Sequence, residues 1–208
     1  MINVSIAGIG GQGSVLAARI LAQAAEAKGW QVRSAETIGM AQRGGDVMSH
    51  VRMGNAGEEV FSPLPAKGTV DVLIALEPGE AARVLPYLKE NGLLVVASTG
   101  IPPVMANFKR QTYDPQHLID DMQAAGVKMV VVDDAELVHR LGEPKALNVM
   151  MLAYAIIAVN KREDCMDNAL RGAITLEDIE AAIPLCVKRK LVSVNEKAIK
   201  VVQQVARV

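Results

Sequence analysis

Two stretches of the chain bring together residue types that could do chemistry. In "IAGIGGQGS", residues 6–14, Gly8, Gly10 and Gly13 satisfy G-x-G-x-x-G between a strand-like segment and a helix-like one. In a dinucleotide site the first glycine permits a tight turn, the second lets pyrophosphate reach the backbone, and the third lets helix and strand pack closely. Glu36, near the ~20-residue spacing expected beyond the last glycine, would hold the ribose. Gly10, Gly11, Gln12 and Gly13 put three glycines in four positions, more backbone freedom than the fingerprint demands. Gln12 adds an amide that could fix a ligand or a neighbouring chain. Amides at a helix N-terminus attract anions whatever the ligand. The reading without a ligand is a tight strand-to-helix crossover.

The second stretch is "ETIGMAQRGGDVMSHVRMG", residues 36–54. Gln42, Arg43, Gly44 and Gly45 join a bidentate cation to two flexible residues, so the backbone can bend around an anionic group that Arg43 grips. We expect Arg43 to meet a ligand or another subunit. In the strand that follows, Met48, His50 and Arg52 share one face while Val47, Ser49, Val51 and Met53 share the other. His50 and Arg52 read as a solvated edge-strand face that would extend a cationic surface from Arg43. The glycine-dense 39–45 stands where an ordinary NAD domain begins its next helix. No second domain and no His-Asp or Tyr-Lys set follows.

These stretches need elements to hold them, and the hydrophobic pattern supplies strands alternating with helices. Strands are predicted at 3–7, 31–36, 70–76, 93–98 and 129–133, the run "VDVLIAL" being apolar enough for burial on both faces. A helix over 14–28 ends at Gly29 as a C-terminal cap, and another covers 79–88 with Pro86 near its end. Residues 46–53 alternate like a half-exposed strand of a hairpin, with turn chemistry at 55–57. A polar excursion, 102–114, packs over an edge or a partner. Asp133 and Asp134 cap a helix. From Lys145 onward the chain is helical. An apolar helix spans 146–159, an amphipathic one is capped by Thr175 with Asp178 three residues on, and a last one covers about 188–206. The expected fold class is α/β: three layers, α/β/α, around a mainly parallel sheet, with a hairpin insertion and C-terminal helices. Residues 1–208 read as one domain whose helical portion begins near 145.

Composition narrows the partners. The 22 Lys and Arg nearly cancel the 23 Asp and Glu, so neither nucleic acid nor an anionic membrane surface is expected. Half the residues are apolar but only 3% are aromatic, so Ala, Val, Ile, Leu and ten Met must fill the core. Cys165 and Cys186 form no C-x-x-C pair and read as reduced structural thiols. The strand-like start leaves no room for a signal peptide, which points to the cytoplasm. The apolar run 146–159 falls short of the ~18 residues of a membrane span. It reads as a helix buried in a core or an interface, available for self-association. His117 and His139 lack ligand-spaced companions, and Asn148 is a buried polar group in need of a partner.

"GIGGQGSVLAARILAQAA" and "ETIGMAQRGGDVMSHVRMG", in that order, resemble the gamma-type subunit or domain of the 2-oxoacid:ferredoxin oxidoreductases, most of all the small beta subunit of the indolepyruvate branch. The likeness continues through "VDVLIALEPGEAARVLPYLKENGLLVV" and "ALNVMMLAYAI", and departs at Ile38, where that branch often carries histidine. The resemblance implies a reaction using thiamine diphosphate with Mg, iron-sulfur clusters and coenzyme A. A 2-oxoacid such as indolepyruvate or another aryl pyruvate is decarboxylated, two electrons pass to ferredoxin, and an acyl-CoA leaves. Two isolated cysteines cannot supply the four thiolates of a [4Fe-4S] cluster, and no Gly-Asp-Gly stretch marks a thiamine site. The cofactors then belong to a large partner subunit, and this chain contributes no catalytic residue. Gly10, Gly11, Gln12 and Gly13 with Arg43, Gly44 and Gly45 would bind the CoA phosphates or dock the thiamine-bearing subunit. Two rivals are a stand-alone NAD(P)- or flavin-binding oxidoreductase and a non-enzymatic interaction module.

Overall fold

The computed structural model describes residues 1–39, 45–102 and 113–206. Its strands are β1 (Ile2–Ile9), β2 (Gln31–Ile38), β3 (Asp46–Gly54), β4 (Val70–Ala75), β5 (Leu88–Ala97) and β6 (Met129–Val132). Continuous apolar runs in β1, β4 and β5 require cover on both faces. The sheet has the order β2-β3-β1-β4-β5-β6. β1, β4, β5 and β6 are joined in parallel, and β3 is antiparallel to both its neighbours.

The helices are α1 (Ser14–Ala27), α2 (Pro78–Val84), α3 (Pro115–Ala124), α4 (Asp134–Leu141), α5 (Leu147–Lys161), α6 (Leu176–Cys186) and α7 (Arg189–Val205). On one face Ile2, Val4, Ile6, Val72, Ile74 and Val95 pack with α1, α4 and the last three helices. On the other, Leu73, Ala75, Leu94 and Val96 meet Ala81 and Val84 of α2 and Ile119 and Met122 of α3. This is the expected α/β architecture with its C-terminal helical layer. Local signals hold at α6, where Thr175 and Asp178 form a reciprocal capping box, and after α1, where Gly29 takes φ 77°. Among the described residues no helix is long and apolar enough to cross a membrane.

β3 departs from expectation. It is an interior strand, buried over most of its length, and the exposed edge strand of the hairpin is β2. The turn over Asn55–Gly57 closes β3 as a 3-10 turn, while the β2–β3 connection runs through 39–45, of which 40–44 lie outside the described residues. The edge reading of His50 and Arg52 is therefore corrected. His50 is 3% exposed, its Nδ1 hydrogen-bonds Ser5 Oγ at 2.9 Å, and its ring stands 5.8 Å from that of Tyr87. Arg52 donates to Asn3 Oδ1 (3.0 Å) and to the Ser62 carbonyl (2.7 Å). Neither extends a cationic surface.

Burial lowers the His50 pKa from its ordinary 6.5. Between the lowered folded value and the ordinary unfolded one, the unfolded chain binds the extra proton, so stability rises with pH through that window. The stabilisation is complete above 6.5 and is lost as pH falls through the folded pKa. Chemical denaturation at pH 7.5 and 5.5 should therefore show a larger acid loss in the wild type than in His50→Gln. Equal losses would remove His50 as the cause.

Two helices also differ from expectation. The segment 79–88 breaks into α2 and a 3-10 turn at Leu85–Tyr87, because Pro86 cannot donate to a continuing helix, and Leu88 already opens β5. The apolar helix, α5, is buried at every position from Asn148 to Val159. It forms the centre of the helical layer and leaves no apolar face for self-association.

Candidate functional site

α1 leaves β1 on one face of the sheet toward β2, whereas α2 leaves β4 on the other face toward β5. The carboxyl ends of β1 and β4 thus flank a topological switch point, where open α/β sheets form a crevice. The loop after β1 is held there by Gln12, whose Oε1 accepts from Ile9 N (2.7 Å) and whose Nε2 donates to the Leu76 carbonyl (2.8 Å). Both ends of its amide are thereby engaged within the chain. Gly8 and Gly13 are needed for close packing: a Cβ at Gly8 would lie 2.9 Å from Gln12 Oε1, and one at Gly13 would lie 2.6 Å from Asn148 Nδ2. The Asn148 amide nitrogen donates to the Gly13 carbonyl, 2.8 Å away, while its buried Oδ1 has no hydrogen-bond partner.

Gly13 is the N-cap of α1 in the left-handed region, and no side chain caps the helix. Leu16 N and Ala17 N donate to the Gly13 carbonyl at 3.0 and 3.3 Å, whereas the Ser14 and Val15 amides precede any intrahelical acceptor. Gly11, at φ 111°, is exposed, with nothing within 4 Å of a Cβ built on it. Gly10 N donates to the Gly45 carbonyl at 2.8 Å, so Gly45 lies beside the first glycine loop. Arg43 and Gly44 lie outside the described residues. Glu36 does not lie beside this loop. β3 stands between β2 and β1, which moves Glu36 two strand spacings, about 10 Å, from the strand whose loop would bind a dinucleotide.

Sequence reasoning missed Glu77. It follows β4, is 2% exposed and caps α2 by accepting from Glu80 N at 2.9 Å. It also accepts from Ile101 N at 3.2 Å and from the Tyr113 hydroxyl, while Gly79 N donates to the Tyr113 oxygen at 3.1 Å. Burial, then the Glu77 carboxylate, push the Tyr113 phenol well above its ordinary range. Asp134 joins the next two loops by accepting from Ser98 Oγ (3.1 Å) and Thr99 N (2.8 Å). At the outer rim Arg83 pairs with Glu80 at 2.6 Å and Asp46 at 3.5 Å. An acid followed by Pro-Gly after a buried strand was the available signal for Glu77, as a helix cap.

The Glu77 and Asp134 carboxylates are occupied by backbone and hydroxyl donors. Burial raises the pKa of both the Cys165 and Cys186 thiols, the opposite of an activated thiolate. Among the described residues no group of three or more His, Cys, Asp and Glu could hold a metal ion.

Comparison with known proteins gives a consistent result. Residues 3–207 match the family model described as pyruvate ferredoxin/flavodoxin oxidoreductase. The indolepyruvate oxidoreductase subunit IorB of Archaeoglobus fulgidus is 32% identical, the match covering 96% of this chain and 92% of that one. The pyruvate/ketoisovalerate oxidoreductases common subunit gamma of Pyrococcus furiosus is 26% identical over 88% and 94%. The crystal structure of a keto/oxoacid ferredoxin oxidoreductase gamma subunit from Geobacter sulfurreducens shares the fold, with a TM-score of 0.65 at 21% identity over 98% of this chain and 97% of that one.

Proposed function

From the premise that the chain belongs to the pyruvate ferredoxin/flavodoxin oxidoreductase family, we propose that it is the cofactor-free small subunit of an indolepyruvate, or related aryl pyruvate, ferredoxin oxidoreductase. The substrate reading rests on the greater identity to IorB than to the pyruvate/ketoisovalerate gamma subunit. The complex carries out oxidative decarboxylation of the 2-oxoacid to an acyl-CoA, with electrons to ferredoxin. Residues 1–208 act as one gamma-type domain, in the cytoplasm.

The described residues of this chain do not fit an iron-sulfur cluster or a metal-held thiamine diphosphate. Cys165 and Cys186 lie on separate elements, and among the described residues neither belongs to a group of three or more His, Cys, Asp and Glu that could hold a metal ion. Thiamine diphosphate, Mg and the clusters therefore belong to a large partner subunit, and no chemical step is assigned to this chain. Its contribution is a surface: Gly10–Gly13, together with Arg43, Gly44 and Gly45, seats that partner near its reacting centre. The single observation that supports this reading is the Gly10–Gly45 hydrogen bond, which brings the end of the second motif to the loop of the first. The uncapped, left-handed start of α1 beside exposed Gly11 favours a second role for the same surface, contact with CoA phosphates.

Arg43→Ala in the assembled complex separates the two roles. Loss of an Arg–phosphate contact should raise the KM for CoA about tenfold, near 1.4 kcal/mol, with assembly intact. Loss of a docking contact should instead release the small subunit on size-exclusion chromatography. Wild-type kinetics together with wild-type assembly would refute both.

A further inference from the structure

A second site lies away from the loop rim, between α1 and the β2–β3 hairpin. There a cavity of about 220 Å³ is lined from α1 by Ala18, Arg19, Gln23 and Glu26, and from the strands by Ser34, Glu36 and Ser49. Alanines on this side of α1 leave the space that longer side chains would fill. Ser49 is completely buried, yet its Oγ has no hydrogen-bond partner. An unsatisfied buried hydroxyl costs about 1–3 kcal/mol, and native chains seldom leave one without an occupant to satisfy it. Around the mouth, no ion pair or side-chain hydrogen bond engages Arg19, Glu26 or Glu36.

We propose that this cavity is a binding site for one guanidinium or ammonium group on a short stem. Acceptors dominate its lining: two carboxylates, the Gln23 carbonyl and two serine hydroxyls, against the cation Arg19, with His50, whose imidazole is engaged by Ser5, also in the wall. The volume matches roughly seven waters at ~30 Å³ each, the room for a head group and a few methylenes. A donor on that group satisfies Ser49 while its charge meets Glu26 and Glu36 at the mouth. The group comes either from a free amino or guanidino metabolite or from a Lys or Arg side chain of the partner subunit.

The test is a titration of the full chain with agmatine, followed by amide NMR. Saturable shifts at Ser34 and Ser49 are expected, weakened at least tenfold in Glu36→Gln and several-fold in Ser49→Ala. Glu36 is exposed, so its conservative replacement leaves the fold intact. Repeating the titration on the assembled complex identifies the source. Retained binding assigns the site to a free molecule, and lost binding assigns it to a side chain of the partner. Absence of saturable shifts, agmatine binding unchanged in Glu36→Gln, or saturation of the same amides by acetate would overturn the proposal.

Discussion

Gly13→Ala should destabilise the chain by about 3 kcal/mol, the sum of a left-handed backbone penalty of ~1–2 and an overpacking term of ~1–3. Gly13 sits at φ 83°, and the added Cβ would lie 2.6 Å from Asn148 Nδ2 and 3.1 Å from its Cγ. Asn148 cannot retreat, because it is buried in α5 and bound to the Gly13 carbonyl. For a chain of this size the effect corresponds to a melting temperature lower by roughly 10 °C. Gly11→Ala is the control: its φ of 111° is equally unsuited to a side chain, but the space is open, so only the backbone penalty of ~1–2 kcal/mol applies. Calorimetry of the two variants checks the difference. Equal melting temperatures would mean that the loop is not packed against α5.

That contact marks the limit of what the residues disclose in order. The strand-loop-helix unit at the N-terminus, the doubly covered β4 and the Thr175 capping box follow from local pattern, because each is decided within a few residues. The position of β3 is not. His50 and Arg52 give the strand a polar alternation that mimics an edge, and their engagement depends on Ser5, Asn3, Tyr87 and Ser62, which no local periodicity connects to them. The same insertion explains why Glu36 misleads. Its spacing from the glycine loop suits a ribose acid, but the sheet order moves its strand outward by one place. Both glycine clusters are legible as motifs, whereas the contact between Gly10 and Gly45 exists only because β3 starts beside the end of β1.

Glu77→Ala is the second large effect, at about 4 kcal/mol, since hydrogen bonds to a charged group are worth ~1.5–3 each and partnerless buried donors add to the loss. Glu77 is the common acceptor for Glu80 N, Ile101 N and the Tyr113 hydroxyl, so it ties the start of α2 to the loop after β5 and to the segment entering α3. Removing the carboxylate leaves all three donors facing a site that water reaches poorly. Tyr113→Phe, which deletes one donor and keeps the ring, should cost only ~1 kcal/mol. In a double-mutant cycle the two substitutions should be non-additive, because the Tyr113 hydroxyl has no acceptor once Glu77 is gone. Urea denaturation of the four proteins measures this, and strictly additive losses would separate Tyr113 from Glu77. Glu77 acts here as a positioning residue for the crevice, so Glu77→Gln, which retains one acceptor oxygen, should recover part of the loss.

We propose that this chain completes an oxidoreductase whose redox centres lie in a larger partner. Indolepyruvate- and CoA-dependent reduction of ferredoxin, measured with the purified large subunit in the presence and absence of this chain, tests it most directly. Turnover only when both are present is the expected result. A large subunit that reaches the full rate without the chain would contradict this role.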